Sequence, residues 1–247
     1  MNILHSIKKQ IPNLITLCNL LCGVMATYYA IQYQAFDFRL HYAAWFILLG
    51  IFFDFFDGLA ARLLHVASDM GKELDSLADV ITSGVAPGFI LYAILATADG
   101  LPWLKYVALL MPAFAAYRLA KFNLDTRQSH SFLGLPAPSN ALIWVGLAFI
   151  FSFAPAEEVG WLFNNSGLIC LAILSLITDL LMIGEMPMFS LKFNFKDLSW
   201  KSNKIQYIFL AGCLLLIIFL LQYSISFIIL WYIVLSLLTQ KKSTANE

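Results

Sequence analysis

Charged side chains are scarce in this chain: Lys, Arg, Asp and Glu make up 12% of 247 residues, and 15 basic and 15 acidic groups cancel to a formal charge of zero. Soluble globular domains carry about a quarter of their residues as charges, so this composition excludes an ordinary water-facing surface. Nor does the balance supply a basic excess for nucleic acid, which is not expected as a partner. Cysteine is rarer still. Cys18, Cys22, Cys170 and Cys213 all lie inside apolar runs, so neither a disulfide framework nor a zinc site with loop spacing is indicated. Cys18 and Cys22 share a helix face, but no histidine or further cysteine stands near them to complete a metal site. The four histidines, His5, His41, His65 and His130, fall near expected helix ends or in loops without a second ligand at useful spacing. Low-complexity segments and internal repeats are missing, and the one polar stretch of any length runs from 184 to 203. A single membrane domain, 1–247, accounts for the chain.

What the chain has instead is apolar length. Hydrophobic residues reach 61% and the mean hydropathy is +0.80, values of the polytopic integral membrane class. With about 20 apolar residues per crossing as the yardstick, spans fall near 13–33, 41–65, 73–97, 102–121, 139–154, 165–184, 205–221 and 224–239. The expected fold is an all-α, polytopic membrane helical bundle of about eight transmembrane helices. Residues 13–184 form its core and 205–239 two additional C-terminal helices. The break at Gln222, Tyr223 and Ser224 is short, and one long bent segment is the competing reading there.

Basic residues near helix ends mark the cytoplasmic side of a membrane protein. Lys8 and Lys9 precede the first span, and Arg62 and Lys72 flank the second connection. Arg118, Lys121 and Arg127 flank the fourth, Lys192, Lys196, Lys201 and Lys204 the sixth, and Lys241 and Lys242 form the tail; Arg39 and Lys105 fall on the other side. Both termini are therefore expected in the cytoplasm, with the protein in the inner (cytoplasmic) membrane and the connection between spans two and three facing the cytosol. The N-terminal run is read as retained rather than as a cleaved signal, because it continues past the small residues Ala26 to Ala30 and opens on the polar entry P-N-L-I-T at Pro12 to Thr16. Ahead of it, Ile3, Ile7 and Ile11 recur opposite His5, Lys8 and Lys9, which suits a short interfacial amphipathic helix over 1–11.

Against this background the run from Asp54 to Asp79 stands out, D-F-F-D-G-L-A-A-R-L-L-H-V-A-S-D-M-G-K-E-L-D-S-L-A-D. An acid at the centre of a membrane helix costs about 2.5–3.5 kcal/mol on insertion scales, so several together call for an aqueous cavity, a cation or a reaction. Asp54 and Asp57 are three apart, and Asp75 and Asp79 four apart. Both spacings put each pair on one helix face, so two helices joined by a short turn point all four acids at a common spot. All-oxygen ligands select hard cations, here one or two Mg²⁺ or Mn²⁺ ions. Gly58 and Ala61 leave a small surface where a bulky ligand can approach the backbone, and Arg62 adds a permanent cation suited to phosphate. Metal, small surface and arginine together fit a nucleotide diphosphate. Two alternatives stand beside this reading. The acids could pair structurally with Arg62 and Lys72, although two bases do not neutralise four acids and Asp69 and Glu73 add more charge. They could also form the ion site of a divalent cation transporter, which has no need of Gly58, Ala61 and Arg62.

The segment resembles the signature of the CDP-alcohol phosphatidyltransferase family, D-x2-D-G-x2-A-R-x8-G-x3-D-x3-D, at Asp54, Asp57, Gly58, Ala61, Arg62, Gly71, Asp75 and Asp79. The resemblance implies that Asp54, Asp57, Asp75 and Asp79 hold one or two divalent metals against the diphosphate of a CDP-linked lipid. It also implies that Asp79 is the catalytic base activating the acceptor hydroxyl, and that Gly58, Ala61, Arg62 and Gly71 line the CDP-lipid. Asn13 and Thr16 join that set because similar P-N-x-x-T entries occur across the family; helix capping is their bland reading. Further segments, D-V-I-T-S-G-V-A-P at 79–87, R-L-A-K-F-N at 118–123 and G-L-P-A-P at 134–138, look like the membrane-embedded phosphatidylserine synthases of that family. That subfamily commonly has S-F-G where this chain reads Thr82-Ser83-Gly84, and R-F-N where it reads Lys121-Phe122-Asn123. Its helix count is similar, a core of six extended by two. The implied substrates are CDP-diacylglycerol and L-serine, with CMP released in a lipid bilayer, and the family usually forms homodimers. Relatives with the same signature use glycerol phosphate or inositol phosphate, which would call for a stronger basic cluster near Asp79.

Serine carries a carboxylate and an ammonium, so its site needs a cation and some acceptor atoms. Arg118, Lys121 and Asn123 are the acceptor-binding candidates at the end of the fourth span. The bland reading of the two bases is a positive-inside belt reaching for the interface. Asp179, inside the sixth span, has no partner evident in sequence.

Overall fold

Backbone polar groups in hydrocarbon must be satisfied within their own segment, and every long apolar run in this chain accordingly forms a helix. The computed structural model describes residues 3–32, 40–124, 132–155, 157, 160–189, 199–200 and 203–243. Its elements are α1 (Ile3–Ile31), α2 (Leu40–Leu63), α3 (Asp69–Asp79), α4 (Ala86–Leu95), α5 (Leu110–Leu124), α6 (Ala137–Phe153), α7 (Asn165–Ile183), α8 (Lys204–Leu220) and α9 (Ser224–Ser243). Two residues each of β1 (Phe132–Leu133) and β2 (Pro187–Met188) pair antiparallel. The segments Lys8–Ile31, Leu40–Leu63, Asp69–Leu95 and Asn165–Ile183 are long and apolar enough to cross a membrane, and Ala137–Phe153, Lys204–Leu220 and Ser224–Thr239 are shorter apolar helices. The molecule is an all-α, multi-pass membrane protein.

Several expected elements take a different form. The helix expected over 1–11 is not separate: α1 runs unbroken from Ile3 with Pro12 inside it. The span expected over 102–121 begins as a 3₁₀ turn, Leu104–Leu109, before α5. Pro112 lacks the N–H that would meet Ala108, and its ring crowds that carbonyl, which favours the tighter winding. The bent-segment alternative for the C-terminal helices is overturned. Leu221 (φ 44°) and a 3₁₀ turn at Leu221–Tyr223 separate α8 from α9, and Gly212 of α8 packs on the Trp231 ring of α9. Arg39, Arg127, His130, Lys192, Lys196 and Lys201 lie outside the described residues, as do the side chains of His5, Lys241 and Lys242.

Packing converges on two places. α6 is largely enclosed, with Trp144 fully buried, and α2, α4 and α9 lie against it. The other is a π-helical stretch, Val80–Val85, between α3 and α4. Its wide turn suits Pro87, which cannot donate to the Ser83 carbonyl and would press on it in a regular helix. There Thr82 sits so close to Gly23 of α1 and Gly50 of α2 that a Cβ on either glycine would come within 2.6 and 2.5 Å of its side chain. Gly84 meets Ala115 of α5 in the same way, at 2.8 Å. This stretch, directly after Asp79, thus locks α1, α2 and α5 around the end of α3.

Candidate functional site

The two acidic helices are joined by a tight turn. His65, with φ 53°, takes the left-handed conformation after α2 while Val66 N–H donates to the Ala61 carbonyl (3.0 Å). Ser68 then caps α3, its hydroxyl accepting from Gly71 N–H at 3.1 Å. α1 packs along both α2 and α3, while those two make little backbone contact with each other. Space therefore remains between the acidic faces.

That space is a cavity of about 250 Å³ lined by Pro12, Asn13 and Thr16 of α1, Asp57, Gly58, Ala61 and Arg62 of α2, the turn 66–68, and Gly71, Lys72 and Asp75 of α3. Every residue that the sequence assigned to the CDP-lipid falls on its wall. Gly58 leaves the Arg62 guanidinium lying 3.6 Å from where its Cβ would be, and Gly71 has Asn13 Oδ1 at 3.3 Å from the same position. Side chains there would narrow the cavity. Arg62 is exposed and, among the described residues, makes no ion pair.

The spacing predicts one common spot for four acids; the structure groups three. Carboxylate oxygens of Asp54, Asp57 and Asp75 lie within 4.8 Å of one another, while Asp79, one turn beyond Asp75, lies outside that group. Oxygens bound to one hard cation lie about 3–5 Å apart, so the three fit such an ion. Asp75 Oδ1 is buried without a hydrogen-bond partner, and no ion pair neutralises these acids among the described residues. A bare carboxylate cluster of this kind is strongly destabilising, and a divalent cation supplies the missing charge and partner together.

α1 holds two of the acids from outside the cluster. Thr16 Oγ1 donates to Asp57 Oδ2 at 2.6 Å, and Asp57 is 5% exposed. Asn19 Nδ2 donates to Asp79 Oδ1 at 3.4 Å. Sequence reasoning missed Asn19. The signal was present, since Asn13, Thr16 and Asn19 recur every third residue as a polar stripe on an apolar helix.

The three acceptor candidates do not converge. Arg118, 7% exposed, donates from Nε to the Leu135 carbonyl (2.8 Å), lies over the Phe122 ring, and has Asp79 within electrostatic reach. Lys121 turns away to Glu185 Oε1 (3.1 Å) and the Ile183 carbonyl (3.3 Å). Asn123 donates to Ser76 Oγ (2.8 Å), and its carbonyl accepts from Lys72 Nζ (3.2 Å), tying α5 to α3. Gly134 explains the G-L-P-A-P segment. With φ 77°, it approaches the Met182 and Gly184 carbonyls so closely that a Cβ would stand 2.6 and 2.7 Å from them, and this sets the Leu135 carbonyl before Arg118. Asp179 is fully buried and accepts from Asn140 Nδ2 (3.4 Å) and Ser175 Oγ (3.3 Å), so it belongs to the packing of α6 on α7.

Fold and site together define a membrane protein with a three-carboxylate group able to hold a cation, opening on a cavity lined by Gly58, Ala61 and Arg62. The chain belongs to the CDP-alcohol phosphatidyltransferase family, whose model matches residues 9–173. It is similar to proteins named CDP-diacylglycerol–serine O-phosphatidyltransferase in several organisms. The Bacillus subtilis protein is 38% identical over 145 residues, covering 58% of this chain and 78% of that protein. The Helicobacter pylori protein is 39% identical over 136 residues, 54% of this chain and 55% of the relative. With the Mycobacterium leprae protein, identity is 33% over 186 residues, 72% and 57%. The chain spans just over half the length of these last two.

Proposed function

We propose that this protein transfers the phosphatidyl group of CDP-diacylglycerol to the hydroxyl of L-serine, releasing CMP and forming phosphatidylserine. The observation that carries the reading is the continuity of the three-acid group with a cavity walled by Gly58, Ala61, Arg62 and Gly71. The names of the similar proteins support serine as the acceptor, and among the described residues Arg118, rather than a phosphate-binding cluster, is the basic residue acting on Asp79. Asp54, Asp57, Asp75 and Asp79 are the residues to hold Mg²⁺ or Mn²⁺, which when bound neutralises charge on the diphosphate. Asn13, Thr16, Gly58, Ala61, Arg62 and Gly71 bind the CDP-lipid. Asp79 takes the proton of the serine hydroxyl as its oxygen bonds to the lipid-side phosphorus, the bond from that phosphorus to the CMP oxygen breaks, and CMP leaves. Arg118 receives the serine carboxylate beside Asp79, with Lys121 and Asn123 bracing the helix that carries it.

The same reading sets the surroundings. One membrane domain, 1–247, crosses the bilayer eight times, with 13–184 as catalytic core and 205–239 as two added helices. Both termini and the cavity face the cytosol of a cell bounded by this inner membrane, and two copies associate as a homodimer. An enzyme of this kind is separated from a cation transporter by ligand-dependent melting in detergent. CDP-diacylglycerol is expected to raise the melting temperature only when Mg²⁺ or Mn²⁺ is present, and Arg62→Ala to weaken the rise. Cation flux in liposomes with no response to the CDP-lipid would contradict the reading.

A further inference from the structure

Asn19 is fully buried in an apolar helix. Its Nδ2 faces Asp79 Oδ1, while its Oδ1 is left without a donor. An unpaired buried acceptor destabilises the fold, a cost that an aliphatic side chain would avoid. The orientation is set by charge: turning the amide over would bring its carbonyl oxygen against a carboxylate oxygen. Room for the amide comes from Gly50, where a Cβ would lie 2.9 Å from Asn19 Oδ1. The backbone of the same residue has a separate task, since its carbonyl accepts from Thr82 Oγ1 at 3.1 Å and so binds α1 to the π-helical stretch after Asp79. Side chain and main chain therefore serve different ends. Among the described residues the side chain has one hydrogen-bond partner, the acid, and the helix-to-helix bond survives any substitution that keeps the backbone.

A carboxylate without such a partner rotates freely about its last bond, and chemistry at one oxygen then depends on chance orientation. Thr16, three residues earlier on the same face, does for Asp57 what Asn19 does for Asp79. We propose that Asn19 is a positioning residue for the transfer reaction. Its amide fixes Oδ1 of Asp79 and leaves Oδ2 directed at the acceptor hydroxyl. This rests on the reading of Asp79 as the base.

The test compares Asn19→Leu, Asn19→Ala, Asp79→Asn and the double variant Asn19→Leu/Asp79→Asn, purified in detergent. CMP release, CDP-diacylglycerol binding with Mg²⁺ and melting temperature are measured for each. Loss of an outer partner of this kind typically costs about 10- to 100-fold. The expected result is a fall of that size in kcat for both Asn19 variants, with KM and binding of the CDP-lipid largely kept, and no further loss when Asn19→Leu is added to Asp79→Asn. Normal kcat in the Asn19 variants beside an inactive Asp79→Asn overturns the proposal alone. So does a loss that multiplies with that of Asp79→Asn, or failure of both single variants to fold, since either assigns Asn19 to assembly. Near-normal turnover in Asp79→Asn removes the base reading and the proposal with it, and that variant by itself identifies the failure.

Discussion

Asp57 and Asp79 are chemically identical side chains given different surroundings, and the account assigns them different work. Asp57 borders the cavity beside Gly58, with its Oδ2 held by Thr16, whereas Asp79 is not on the cavity wall, accepts from Asn19 and has Arg118 within electrostatic reach. Asp79→Asn keeps size and some capacity to bind a metal but does not accept a proton at neutral pH. Loss of a placed general base costs typically ~10²–10⁴ in rate, so CMP release is expected to fall by that much while CDP-lipid binding falls far less. Asp57→Asn is expected to damage metal-dependent CDP-lipid binding itself. Equal loss of binding in the two, measured on folded protein, would make Asp79 chiefly a metal ligand. Thr16→Val removes one hydroxyl and little volume; about 10- to 100-fold weaker apparent Mg²⁺ affinity is expected from titrating the cation in the melting assay. At this scale the sequence was informative because fixed spacing survives folding: six of the eight signature residues line one cavity, and Asp54 groups with its two acids. Partners from other helices were less visible. Asn140 meets Asp179 across a 39-residue separation, and no local pattern announces such a pair.

Elements carry the site through their ends and irregularities rather than their regular turns. The apolar runs announced helices, but nothing in V-I-T-S-G-V spelled a π-helix, because its causes include Pro87 two residues beyond it and the glycines Gly23 and Gly50 on two surrounding helices. The 3₁₀ entry to α5 escaped a hydropathy reading for a similar reason, since hydropathy records how apolar a segment is and not how tightly it winds. Gly134 offers a test at this level. A side chain there meets two carbonyls of the α7 terminus at a positive φ, a strained arrangement of order 1–3 kcal/mol. Gly134→Ala is expected to lower the melting temperature and to raise KM for serine more than for the CDP-lipid, through displacement of the Leu135 carbonyl that holds Arg118. A rise confined to the CDP-lipid KM would contradict that link.

At the scale of the whole molecule, the proposed function asks few charges to do several jobs at once: orient the chain, hold a cation and bind two substrates. Topology is accessible to thiol labelling in a background with Cys18, Cys22, Cys170 and Cys213 replaced by alanine. Ala67→Cys, in the turn before α3, is expected to react from the cytosolic side, and Asp99→Cys, beyond α4, from the opposite side; labelling of both from one side would contradict the eight-crossing arrangement. The central claim is the reaction itself. Purified protein supplied with CDP-diacylglycerol, Mg²⁺ or Mn²⁺, and in turn L-serine, glycerol phosphate or inositol phosphate is assayed for CMP and for the lipid product. The account predicts CMP release with serine in step with phosphatidylserine formation, none without the cation, and little with either phosphorylated acceptor. CMP release with glycerol phosphate or inositol phosphate but not with serine would contradict it.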